Sequence, residues 1–325
     1  MTFTRSSCAA LVLLGLGLLP ATASAQNYPS DTIHMIVPTN AGGGTDTIGR
    51  AVAAAIEETS DASVVVDNIA GASGTTGTIA MLQAEADGYT ILLYGSSDLT
   101  SFMTFQEVPF TLDDFKYVGG VIATPTWVVA NSARGYKTID DLLDAARDEP
   151  NQVTIGVGGA AGAHAIVAHA IVGLSEAPLR VVAYQAGAQL RKGLLANEVD
   201  AGVIHSPIML DAIKNGDINV LATAGPLDRI GYAPLRDTPL LKASGLDIDV
   251  GVTRGVYVSK DTPDEVVAKL TEMLKTAAES ESFAAFGEKF SFAPAWMPPE
   301  EFEALLREER STFQDVYDNI ITKNQ

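Results

Sequence analysis

Thiol chemistry is nearly absent from this 325-residue chain. Its single cysteine, Cys8, sits beside an apolar N-terminal run, so neither a disulfide framework nor a cysteine zinc site can be built. Basic residues are scarce as well, with 21 Lys and Arg against 40 Asp and Glu and a formal charge of −19. Such a chain repels nucleic acid and anionic lipid. Phosphate-cradling G-x-x-x-x-G-K-[ST] does not occur, and no G-x-S-x-G elbow is present, since "GASGT" fails at its last position. Histidine pairs with chelating spacing are missing too. His164 and His169 are five residues apart, about 140° around a helix, and cannot grip one ion together. His34 alternates with apolar neighbours in a strand pattern, and His205 ends another.

Long apolar runs are confined to the first residues. Arg5 precedes the run Ala9 to Leu19, and "ATASAQ" follows with Ala23 and Ala25 in small-x-small order. That sequence of features is a secretory leader, with an apolar core too short to span a bilayer. Cleavage is expected after Ala25. "RSS" before Cys8 supplies no lipobox, and no twin-arginine pair is present. The expected product is a soluble, exported protein of 300 residues without a thiol, long enough to bury a core unaided. Loss of Arg5 takes its formal charge from −19 to −20. That acidity argues mildly against an anionic ligand, but surface charges are screened beyond about 8 Å at physiological salt, and local donors can prevail.

What the chain does have is alternation of two periods. Strand patterns occur at Ile33–Val37, Val64–Val66, Thr90–Tyr94, Val153–Val157, Arg180–Tyr184, Ala201–Ile204 and Asn219–Ala222. Helix patterns lie between them, near Asp46–Glu58, Thr75–Ala86, Asp140–Arg147, Ala163–Leu174 and Ala188–Ala196. This rhythm implies an α/β fold with helices on both faces of its sheets. Strands Phe115–Ile122 and Trp127–Asn131 flank "ATPT", after which the rhythm restarts. A Pro- and Gly-rich passage follows Ala222, and long Glu-rich amphipathic helices at Pro263–Ser280 and Pro299–Ile321 close the chain. The expectation is a discontinuous first domain, residues 26–126 plus 224–325, around an inserted second domain, residues 127–223.

Small, neutral glycine loops punctuate the strand ends: "PTNAGGGTD", "DNIAGASGTTG", "GSSDL", "GGAAGAH", "QAGAQ" and "HSP". Any one of them is accounted for by turn chemistry. Six in two blocks of chain point to a shared cleft, because ligands of open α/β sheets bind at strand carboxyl ends and helix N-termini there offer unpaired N–H groups to anions. "GVGGAAG" meets a dinucleotide pattern through Gly156, Gly158 and Ala161, but an exported protein has little soluble dinucleotide to meet. Asp46 and Arg50 form an i, i+4 pair whose first reading is structural. Arg254, in "DVGVTRGVYVSK", stands among apolar and small residues. It is either half of a buried ion pair or a bidentate grip on a carboxylate.

In combination, "IVPTNAGGGTDTIGRAVA", "VVVDNIAGASGTTGTIAMLQAEADGYTILL", "VDAGVIHSP", "IKNGDINVLAT" and "DTPDEVVAKL" resemble Bug-type extracytoplasmic solute-binding proteins of tripartite tricarboxylate transporters. The motifs run in family order over nearly the whole exported chain. The resemblance implies a type II periplasmic binding protein fold, two α/β domains joined by crossing segments, with a carboxylate pinched between loops. Carried over, the first domain's loops supply Thr39, Asn40, Gly42, Gly43, Gly44, Thr45, Asp46, Ala72, Ser73, Gly74, Ser96 and Ser97. The facing set is Gly159, Ala160, Gly162, Ala163, His164, Tyr184, Gln185, Ala186, Gly187, His205 and Ser206. Thr39, Asn40 and Arg254 depart from many members, and "GGAAGAH" lacks the polar donors often found there, which implies an altered distal pocket. The expected partners are a small organic carboxylate and transporter membrane subunits. The protein is expected to be a monomer with no cofactor, metal or catalytic activity. Alternatives are a binding protein that presents its solute to a signalling receptor, or an exported α/β enzyme.

Overall fold

A computed structural model describes residues 28–205, 208–225, 233–290 and 292–322. The expected leader, its cleavage site and Ser206 lie outside the described residues. The first strands and helices are β1 (Ile33–Val37), α1 (Gly44–Thr59), β2 (Val64–Asn68), α2 (Thr75–Gln83), β3 (Thr90–Gly95) and α3 (Ser96–Phe105). Then come β4 (Phe115–Asn131), α4 (Ile139–Asp148), β5 (Thr154–Val157), α5 (Ala163–Ser175), β6 (Arg180–Ala183), α6 (Gly187–Leu195), β7 (Ala201–His205), α7 (Leu210–Lys214) and β8 (Ile218–Ala224). The chain ends with β9 (Gly251–Ser259), α8 (Asp264–Ala278), α9 (Glu281–Phe290), β10 (Ala293–Met297) and α10 (Pro299–Val316).

The strands run in the order β2-β1-β3-β9-β4-β7-β5-β6, with β10 and β8 also paired to β4. Pairings of β1 with β2 and β3, and of β5 with β6 and β7, are parallel; β9 joins β3 and β4 antiparallel. The same winding, 2-1-3, therefore occurs twice. Parallel strands buried on both faces read as continuous apolar runs, which is why they were visible in the sequence. Side chains still alternate between faces. Ile33 and Met35 of β1 pack with α1, α8 and α9, while Ile36 packs with Leu99, Phe102 and Phe302 on the other face. In β4, Val128 and Ala130 face the core under α5, and Trp127 and Val129 face the one under α6.

The passage "ATPT" is not a break. β4 runs unbroken through it, pairing with β9 up to Pro125 opposite Gly251 and with β7 and β8 from Thr126 onward. Proline donates no ladder bond, and here it falls where the strand changes neighbours. The chain returns at the same place, for a Cβ on Gly225 would lie 3.0 Å from Gly251 Cα and 3.4 Å from Pro125 Cα. The apolar core does not change hands at residue 224, because Leu241, Leu246, Ile248 and Val250 pack with β5, β7 and α5. "GSSDL" is not a loop either: β3 passes directly into α3.

Candidate ligand-binding cleft

Helix starts show how the sequence spends its capping residues. Away from the strand carboxyl ends, Thr138 and Asp141 form a full capping box on α4. By contrast α1, α2, α3, α5 and α6, each of which follows a parallel strand, have no side-chain cap. Their N-cap positions are Gly43, Gly74, Gly95, Gly162 and Ala186, residues without a side chain that could accept the orphan N–H groups. All five starts contribute to the walls of one cavity of about 650 Å³ between the two halves of the sheet, α3 through Asp98 of its first turn.

From the first half, Thr39, Asn40, Gly42, Gly43, Gly44, Thr45, Ser73 and Gly74 line it, with Tyr94, Asp98, Phe102 and Arg254. From the second half come Gly159, Gly162, Ala163, His164, Gln185, Ala186, Gly187 and His205, with Ala161, Ile204 and Ile208. The wall omits Asp46, Ala72, Ser96, Ser97, Ala160 and Tyr184 among the expected residues.

The omissions have physical reasons. Asp46 is buried, and its carboxylate accepts from the Gly42 N–H at 2.8 Å and from Arg50 Nε at 3.2 Å. Burial works to raise its pKa, but the Gly42 and Arg50 bonds prevail and hold it below the ordinary range. Asp46 thus shapes the opening loop, in which Gly42 takes a left-handed φ of +79°. Ser96 turns its hydroxyl away to Glu309 on α10 at 2.8 Å. Tyr184 points to Glu198 at 3.4 Å.

Loop 71–74 carries strain that its sequence does not announce. Ala72 and Ser73, at φ 43° and 55°, sit between Gly71 and Gly74, which are also left-handed. Non-glycine residues in that region cost roughly 1–3 kcal/mol each and gather at binding sites. Tyr94 Oη donates to the Ser73 carbonyl at 3.1 Å and pins the loop against β3.

The inner wall is where charge collects. Arg254 is 5% exposed, and among the described residues its guanidinium reaches only the Thr45 and Thr124 hydroxyls, at 3.5 and 3.4 Å. Among the described residues no carboxylate approaches it within ion-pair distance. The buried ion pair that the sequence left open is therefore not formed. Asp98 lines the cavity and accepts no hydrogen bond on its carboxylate among the described residues. Burial pushes its pKa up, and Arg254 pulls it partly back.

The rings of His164 and His205 pack at a 43° tilt with centroids 3.9 Å apart, and the Nε2 of each is buried without a hydrogen-bond partner among the described residues. Thr126 Oγ1 lies 3.2 Å from His205 Nδ1. Burial and the nearby Arg254 cation bring His164 down to about 4, and burial, His164 and Arg254 bring His205 well below its usual value. Both rings are neutral at physiological pH. No group of three or more His, Cys, Asp or Glu residues able to hold a metal occurs among the described residues. Helix starts, an unpaired guanidinium and neutral imidazoles together suit reversible binding of a small anion.

Sequence reasoning missed Asp98. The available signal was its position: Asp98, like Asp46, is the third residue of a helix that leaves a strand through glycine.

Known proteins bear on this geometry. Residues 48–321 match the family model described as tripartite tricarboxylate transporter family receptor. BugT of Bordetella pertussis is 28% identical over 296 residues, covering 88% of this chain and 90% of BugT. The solved structure of the periplasmic binding protein BugD superposes with a TM-score of 0.77 at 24% identity, over 90% of this chain and 98% of that one. An R. palustris protein solved with adipate gives a TM-score of 0.80 at 20% identity, over 90% and 98%. These likenesses show the fold, that of two-domain α/β periplasmic binding proteins.

Proposed function

Because the chain belongs to the tripartite tricarboxylate transporter receptor family, we propose that it is an exported solute-binding protein. It captures a small organic di- or tricarboxylate and delivers it to the membrane subunits of a transporter. The observation that carries this reading is the gathering of uncapped helix starts and one unpaired, buried arginine on a single cavity. Adipate in the R. palustris protein of the same fold is a ligand of that class. A hydrogen bond to a charged group contributes roughly 1.5–3 kcal/mol net. Four or five around one carboxylate give about 6–15 kcal/mol before association costs, and micromolar affinity needs about 8.

On this reading the leader is removed after Ala25, and the exported protein works as a monomer in the periplasm. The cleft residues are the loops that line the cavity, with Arg254 on the distal end of the ligand. The halves act as domains that meet at Pro125, Gly225 and Gly251, so ligand closes a hinge there. Small-angle scattering of the exported protein should give a smaller radius of gyration with saturating ligand; an unchanged profile argues for a rigid site.

The function itself is tested by thermal-shift screening against organic acids, sugars and neutral amino acids. Ligand at a hundred times its Kd adds about 2.7 kcal/mol, so acids should raise the melting temperature by several degrees. Stabilisation by sugars alone would overturn the proposal.

A further inference from the structure

Resting on that reading of the cleft, we infer that the inner end of the cavity takes an amino group beside a carboxylate, with Asp98 receiving the ammonium and Arg254 the carboxylate. The ligand class narrows accordingly, from organic acids in general to amino dicarboxylates.

Two opposite charges line one cavity without pairing. Arg254 has only long contacts to hydroxyls, and the Asp98 carboxylate accepts no hydrogen bond among the described residues. The register makes them neighbours. Gly95 is directly opposite Arg254 in the β3–β9 ladder, where facing Cβ atoms stand about 4.5–5.5 Å apart. A Cβ on Gly95 would meet Asp98 Oδ2 at 2.5 Å. The Asp98 carboxylate therefore occupies the space over Gly95, on the sheet position facing Arg254, and only glycine leaves it that room.

A plain dicarboxylate would satisfy Arg254 but press its negative charge against Asp98, which has no other cation to answer it. An unbalanced carboxylate there stays charged at a cost or must take up a proton, the direction in which its surroundings already push it. An α-amino acid end carries both charges on one carbon and answers both groups at once. The other ionisable groups that line this end are Tyr94 of β3, His164 of α5 and His205 of β7, while Glu309 of α10 and Tyr257 of β9 lie near Asp98 outside the lining. The two histidines are neutral, so neither competes with the ligand's ammonium or replaces Arg254. The ligand's other carboxylate goes to the bare starts of α5 and α6.

Calorimetric titration of the exported protein with matched probes tests the inference: L-glutamate against glutarate, and L-aspartate against succinate. In one pair or both, the amino member should bind at least tenfold tighter. Asp98→Asn should weaken the amino member tenfold or more while leaving the plain acid unchanged or tighter. Asp98→Ser serves the same purpose should the amide variant fail to fold, and apo melting of each variant checks folding. If glutarate and succinate each bind as tightly as their amino partners, the inference is overturned and the carboxylate reading stands. Equal weakening of both members by Asp98→Asn also overturns it, because Asp98 would then only position Arg254. Failure of all four probes overturns it too; if the wider acid screen is silent as well, the carboxylate reading falls with it.

Discussion

The first half of the sheet winds β2-β1-β3 and the second β6-β5-β7, and both turn strand carboxyl ends toward the cavity. They furnish those ends differently. In the first half, α1 and α3 each carry an aspartate in the first turn, Asp46 and Asp98, and Arg254 of β9 stands opposite Gly95 at the end of β3. In the second half, α5 and α6 have neither an acidic residue in the first turn nor a cap. A helix N-terminus carries about half a positive charge. Asp46 and Asp98 offset it on one side, and on the other, among the described residues, no first-turn acid or side-chain cap does so. On the proposed reading, the first rim reads the ligand with charges of its own and the second receives an anion on bare helix starts.

The sharpest way to break that contrast is to remove the first rim's cation. Arg254→Ala should cost about 1.5–3 kcal/mol of binding, one to two decades in Kd, for any acid with a distal carboxylate. The apo melting temperature should hold or rise, because a buried guanidinium without an ion-pair partner is itself a burden. Calorimetric titration and apo melting of the one variant check both halves of the expectation. Normal affinity with a collapsed melting temperature would make Arg254 a structural residue and dissolve the distinction between the rims.

The next effect tests whether the first rim is held from behind. Glu309 on α10 accepts from Ser96 Oγ at 2.8 Å and Thr100 Oγ1 at 3.2 Å, both on α3. Burial raises its pKa to about 8, against the pull of those two hydroxyls. A carboxyl whose folded pKa lies above its unfolded value stabilises fully below the unfolded pKa, near 4.5, and loses that contribution as pH rises through 8. Glu309→Gln keeps a neutral side chain at every pH. It should match the native protein in stability near pH 4.5 and exceed it by about 1–3 kcal/mol at pH 9. Melting curves at both pH values measure the difference, and parallel curves would show that Glu309 stays ionised behind α3.

Much of this division was legible before any coordinates. Apolar runs and glycine loops marked both windings, because parallel strands are buried on two faces and helix starts at ligand sites shed their side chains. The oddness of Arg254 was visible as a cation in an apolar strand. Other features depend on distant partners. Ser96 reads as a loop donor until Glu309, 213 residues away, is seen to claim it. Pro125 reads as a break because local propensity cannot know that the strand changes neighbours there. Left-handed Ala72 and Ser73 have no local signature, since glycine is the residue that normally announces that conformation. The contact between His164 and His205 follows from the β5–β7 pairing, which sequence order alone does not give.

The smallest effect sharpens the comparison most directly, by giving the second rim what the first already has. Ala188 is exposed, lines the cavity and stands in the first turn of α6. Its side chain is one methyl, so Ala188→Asp introduces charge without crowding a core. A carboxylate in a first turn stabilises a helix by about 0.3–1 kcal/mol, and α6 has no other acid or cap there to dilute the gain. The apo protein should therefore melt slightly higher. A bound anion would meet the new charge in a solvated cleft, where two unit charges 4 Å apart interact by about 1 kcal/mol. Acid affinity should then fall by roughly fivefold, and the loss should shrink as salt is raised. Asp and Asn differ at this position mainly in charge, so Ala188→Asn should leave affinity near that of the native protein. If Ala188→Asp stabilises the apo protein yet leaves acid binding untouched, the bare start of α6 faces no ligand charge, and the anion-receiving role falls to α5 alone.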